Sequence, residues 1–246
     1  MDARRQVDGM RAILDGFEWL TTADNWWGRN GIGIRIREHL WYSLLSLLGA
    51  FAIGFPVGLA IGHTGRGRFV AANLAGLWRA LPTVGIVGLL FEWKPLTLWP
   101  VLAALVVLAV PPIVLNTAAG IDSIPPDIRD AACGMGLTGM QTLWQVEIPN
   151  ALPLITAGVR SAANQVIATA TIAGFVGLGG LGRFIYTGSQ TQRHEITAGA
   201  SIAVIVLVLG VEAAFAVAQR RAVSPGVRAP SSRGWFVSRP TVKVSR

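Results

Sequence analysis

The sequence predicts an all-α integral membrane protein with about five transmembrane helices, and three observations carry that reading. Charge is scarce: 14% of the 246 residues are Asp, Glu, Lys or Arg, against about a quarter in soluble domains. It is also unevenly spread, and no such residue lies between Glu38 and Arg66. Finally, 52% of the chain is hydrophobic and the mean hydropathy is +0.52. A chain with these properties has a bilayer as its solvent.

Residues 1–38 are too polar to span. Met10, Ile13, Leu14, Phe17 and Leu20 recur at helical spacing, with Trp26 and Trp27 following. This predicts an amphipathic, interfacial helix, or one packed on the remaining domain. A first span is expected from Leu40 to Gly62. Its Gly54, Gly58 and Gly62 recur every fourth residue, which predicts close approach of another helix. The second span, Phe69 to Phe91, contains Arg79, Pro82 and Thr83. The third, Leu98 to Ala119, carries Pro111, Pro112 and Asn116. After a polar loop, 120–150, come spans from Leu152 to Gly177 and from Ala198 to Ala218. The glycine-rich stretch from Gly177 to His194 reads as a flexible periplasmic loop able to dip into the membrane. Residues 39–221 thus form the membrane domain, and 222–246 a basic cytoplasmic tail expected to be disordered.

Arg66, Arg68, Arg220, Arg221 and Arg228 place the C-terminus, and with it the 120–150 loop, in the cytoplasm. An odd number of spans then puts the N-terminus outside, a placement that Arg29, Arg35 and Arg37 oppose. The net charge of +8 resides at span ends and in the tail. There it suits anionic lipid headgroups rather than nucleic acid.

Several chemistries find no support. Cys133 is the only cysteine, which leaves no internal disulfide and no multi-cysteine metal site. His39, His63 and His194 are too scattered to predict a metal site. The run Gly177 to Gly182 spells G-x-G-x-x-G, but a membrane helix precedes it where the dinucleotide fingerprint needs a strand. No Walker-type phosphate loop occurs. Span interiors lack an acidic residue, Glu212 toward the cytoplasmic end of the fifth being the nearest. That argues against an ion-coupled secondary transporter, and no paired carboxylates or nucleophile–base set suggests an enzyme.

The 120–150 loop is the most informative stretch. Pro125 and Pro126 end one element, and Asp127 is placed to cap a helix whose positive end Asp130 favours. Gly134 and Gly136 permit a sharp turn, Thr138 and Gln141 form a capping-box pattern, and Pro149 closes the unit. Two short helices joined at Gly136 are expected. Met140, Leu143 and Trp144 form an apolar stripe on the second, buried either against the chain's own helix ends or by a partner.

Asp130-Ala131-Ala132, Gly136 after three residues, and Val146-Glu147-Ile148-Pro149 after nine more resemble the EAA loop of binding-protein-dependent ABC importer permeases. Asp replaces Glu, Val replaces Ile and Ile replaces Leu, all conserving charge or shape. LPTVGIVGLL, PPIVLNTAAGI and GFVGLGGLGRFIYTG resemble the osmoprotectant branch most. The resemblance implies a type I importer permease fold in the cytoplasmic (inner) membrane, multi-pass, itself non-catalytic and binding no cofactor. ATP and Mg would sit on partner ATP-binding cassette subunits. Asp130, Ala131, Ala132, Gly136, Met140, Leu143, Trp144 and Pro149 would form the ATPase-coupling loop. A second permease copy or a sister permease, an extracytoplasmic solute-binding protein and membrane lipid would complete the assembly. The implied cargo is glycine betaine, choline, carnitine or a proline-type solute, with methionine or another amino acid as the family alternative.

Polar residues in the spans are pathway candidates: Arg79, Thr83, Asn116, Asn164 and Thr169. A cation at the bilayer centre costs about 2.5–3.5 kcal/mol, so Arg79 should face the bundle interior or a wet cavity. The bland alternative for the others is interhelical hydrogen bonding, worth about 0.6 kcal/mol each.

Overall fold

The computed structural model describes residues 2–67, 83–93 and 97–222, and every regular element among them is helical. In chain order these are α1 (Asp2–Thr21), a 3-10 turn (Ala23–Trp26), α2 (Ile32–Thr64), α3 (Thr83–Trp93), α4 (Trp99–Asp122), α5 (Pro126–Gly134) and α6 (Gly139–Thr142). A π-turn (Leu143–Glu147) follows, then α7 (Ile148–Thr169), α8 (Ile172–Phe175), α9 (Gly182–Gln190) and α10 (His194–Ala222). Among the described residues, α2, α4 and α10 are long and apolar enough to cross a membrane. At 22 residues, α7 spans roughly 33 Å; Arg160, Asn164 and Gln165 lower its apolar content. Most of the second expected span, including Arg79 and Pro82, lies outside the described residues, as does the tail from 223 onward.

Helix α4 is the centre of the bundle, packed between α2 and α7. The glycine stripe explains how. A Cβ built on Gly58 would lie 2.7 Å from Thr117 Cβ, and one on Gly62 would lie 2.8 Å from Ile121 Cβ. On the other side, a Cβ on Gly158 of α7 would lie 2.7 Å from Asn116 Cβ. Small residues on both neighbours therefore let the backbones close on α4, the packing mode that works where lipid removes the hydrophobic drive. Between them Leu105, Ala109, Ile113, Ala162 and Val166 are buried. Pro111 and Pro112 lie inside α4 without breaking it.

Two expectations need correction. The Gly177–His194 connection is not simply a flexible loop, because it contains the nine-residue α9. This helix packs on α10, where Gly188 fits against Thr197, and Phe184 meets Trp19 edge-to-face at 5.2 Å. The fourth span ends at Thr169, with α8 as a separate turn beyond it. Helix α1 forms where the periodicity predicts it, and its apolar stripe is not the face that packs. It meets α10 where Gly16 crosses Gly199, while Met10, Ile13, Leu14 and Phe17 stay exposed. The crossing needs small residues, and the large apolar ones remain exposed.

Candidate functional site

The 120–150 loop is built as two helical pieces around Gly136. Pro125 takes the cap position of α5 and Pro126 its first turn, where a missing N–H costs nothing. Asp127 thus lies inside the first turn rather than capping it, its charge still matching the helix dipole. At the other end Met135 N–H donates to Ala131 O (3.0 Å) and Leu137 N–H to Ala132 O (3.2 Å). Gly136 has φ +82°, and nothing surrounds the position its Cβ would take. Left-handed backbone, not crowding, requires glycine there. The capping box then forms as expected: Thr138 N–H donates to Gln141 Oε1 at 2.8 Å, and Gln141 N–H to Thr138 Oγ1 at 3.4 Å.

Pro149 does not close the unit. It follows directly on the π-turn, where the backbone bonding already departs from the α-helical ladder, and the helix runs on from α6 through that turn into α7. The π-turn winds in an extra residue and re-aims the side chains after it. Its last residue, Glu147, is only 2% exposed. One carboxylate oxygen shares a hydrogen bond with His63 Nδ1 at 2.6 Å, and the other lies 3.0 Å from Arg129 Nε as an ion pair without hydrogen-bond geometry. Arg129 also donates from Nη2 to Ile121 O at 2.5 Å, a carbonyl at the end of α4 that accepts from Ile124 N–H as well. A buried carboxylate needs such partners to stay charged.

The apolar stripe is divided. Leu143 folds back against the cluster formed by Leu59, Ile121, Ala151 and Ile155, whereas Met140 is 65% and Trp144 58% exposed, beside Met135 at 75%. Asp130 and Ala131 are exposed, and Ala132 is buried. The loop thus presents a sulfur-rich, aromatic outer surface on a base held from beneath.

Of the pathway candidates, Asn164 donates to Glu212 Oε2 at 2.6 Å, and Arg160 pairs with the other oxygen. Glu212 lies within α10, so a described span does carry an acidic residue, held in an ion pair. Asn116 belongs to a different interface and donates to Pro112 O at 2.8 Å. Thr169 ends α7 and Thr83 begins α3; Arg79 falls outside the described residues. Sequence reasoning missed Arg160, His63, Arg129 and the role of Glu147. Arg160 was legible as a charge inside an apolar run. The His63–Glu147 pair was not, since it bridges distant segments.

The opposite end of the bundle has its own polar contacts. Glu38 Oε2 accepts from Gly180 N–H at 2.8 Å and from Arg35 Nη1 at 2.9 Å. The fully buried His39 bonds through Nε2 to Ile167 O at 2.8 Å. Among the described residues no group of His, Cys, Asp and Glu could hold a metal ion.

A bundle of apolar helices with a braced two-helix projection between two of them defines the membrane subunit of a transporter. Residues 50–228 match the binding-protein-dependent transport system inner membrane component family, and the chain belongs to that family. It is 30% identical to the carnitine transport permease protein OpuCB of Listeria monocytogenes, over 78% of this chain and 88% of that protein. It is 35% identical to the osmoprotectant import permease protein OsmW of Salmonella typhimurium, over 70% of this chain and 83% of that one. The fold is similar to that of a chain in the inward-facing MetNI methionine ABC transporter. There the TM-score is 0.67 at 23% identity, covering 76% of this chain and 94% of that chain.

Proposed function

We propose that this permease subunit carries a small zwitterionic or quaternary-ammonium solute across the cytoplasmic membrane, driven by separate ATP-binding cassette subunits that dock on its 120–150 loop. The observation that carries the docking is the exposed trio Met135, Met140 and Trp144 on a base that is otherwise fixed. Exposed Met and aromatic side chains at this density suit burial by a partner protein. Asp130, Ala131, Ala132 and Gly136 give the turn its tight shape, and Leu143 anchors it. ATP and Mg would be held by those partners. A second copy of this chain or a sister permease would complete the pore, and a binding protein would deliver solute from outside.

The solute class rests on relatives named for carnitine, glycine betaine and choline transport. Arg160, Asn164 and Glu212 put both signs of charge on one polar face of the bundle, which suits a passing zwitterion. The decisive experiment reconstitutes the chain with its ATPase subunits and binding protein in liposomes. Uptake of labelled glycine betaine is expected only with ATP inside and loaded binding protein outside. Uptake of methionine in its place, or uptake driven by an ion gradient without ATP, would overturn the reading.

A further inference from the structure

We infer that Glu147, His63 and Arg129 form the joint that carries motion of the 120–150 loop into α2, so that the loop and three helix ends travel as one body. This rests on the importer reading above.

The backbone connects the loop to α4 on one side and to α7 on the other. It makes no such connection to α2, whose last turn stands 84 positions away along the chain from Glu147. Yet α2 is the longest described helix, at 33 residues. The bond from His63 Nδ1 to Glu147 supplies the missing link. His63 also faces the start of α6, because a Cβ on Gly139 would lie 3.6 Å from its Nε2. Arg129 completes the triangle. It reaches from α5 to Glu147 with Nε and to the last turn of α4 with Nη2.

Burial makes this contact stiff. An exposed ion pair contributes little and exchanges readily with water. Glu147 is instead enclosed, and both its oxygens are engaged with groups from different elements. Leu143, packed against the cluster that contains Leu59 of α2 and Ile121 of α4, backs the polar contact with an apolar one. The π-turn aims Glu147 at this spot, and π-turns inside helices are frequent at functional positions. Glu147, His63 and Arg129 are thus positioning residues. None needs to touch solute or nucleotide.

The test uses the complete transporter, with this chain, its ATPase subunits and its binding protein in liposomes. Glu147→Gln keeps shape and removes charge. The ATPase subunits should still co-purify and basal hydrolysis should stay unchanged, while uptake and binding-protein-stimulated hydrolysis fall about tenfold or more as Arg129 loses its counter-charge. Wild-type uptake by this variant would overturn the inference. So would loss of ATPase co-purification in step with uptake, because the carboxylate would then serve docking. A second variant joins the elements covalently: His63→Cys with Glu147→Cys on a Cys133→Ser background, bridged by a short bifunctional thiol reagent. Transport should be poor before bridging and recover after it. A bridged protein as poor as the unbridged one would sink the joint, even if Glu147→Gln fails to accumulate. Failure of the importer reading looks different, since the wild-type chain itself would then show no ATP-driven uptake.

Discussion

The two ends of the bundle are fastened in different ways. At the loop end, side chains from α2, α5 and the π-turn meet one another: His63, Arg129 and a carboxylate enclosed between them. At the far end, side chains of α2 hold backbone instead. Glu38 takes the N–H of Gly180, and His39 bonds the carbonyl of Ile167. Gly177 and Gly180 there have φ of +81° and +80°, so the held segment is a glycine loop. Charge locked against charge makes a rigid junction that is costly to break, whereas one hydrogen bond from a carboxylate to a loop amide contributes about 1.5–3 kcal/mol. The first end suits transmission of force. The second suits a contact that opens and closes.

That contrast can be broken experimentally. Arg129→Ala should have the largest effect, because it strips Glu147 of its strongest counter-charge. A loss of about 3 kcal/mol is expected, visible as a lower unfolding midpoint in nanodiscs. Gly136→Val comes next: a β-branched side chain at a left-handed φ costs about 1–2 kcal/mol. Membrane insertion should survive, while ATP-coupled uptake is lost. Glu38→Gln should be milder, about 1 kcal/mol. Its signature is faster amide hydrogen exchange at Gly180 with no change around Glu147, and equal acceleration at both ends would erase the distinction drawn here. Trp144→Ala should shift stability by less than about 0.5 kcal/mol, since the side chain is exposed. Weaker co-purification of the ATPase subunits would be its only readout, and full co-purification would remove Trp144 from the docking surface.

How much of this was legible in the sequence depended on distance along the chain. The Thr138–Gln141 capping box and the turn at Gly136 are local, and both stand where the residues predicted. The Gly54, Gly58, Gly62 stripe was readable because a period of four marks one helix face, and that face lies against α4. Pro149 misled because a proline reads as a stop, whereas here it stands just after the π-turn inside a helical run that continues past it. The glycine density of 177–182 hid α9, whose packing on α10 is tertiary. Glu147 was visible only as the unspecified position of a motif. Its partners follow from how α2 and α7 lie side by side, which no spacing in the chain encodes.

One feature of the loop reaches further than its own surroundings. From Gly139 to Thr169 the chain winds without a break, through α6, the π-turn and α7, a rod of roughly 46 Å at 1.5 Å per residue. Arg160 and Asn164 ride on its distal half, gripping Glu212 of α10. A tilt imposed at Met140 enters a run with no loop in it, so the lateral swing of a surface methionine would be delivered, through the π-turn, to a pair of opposite charges that ties α7 to α10.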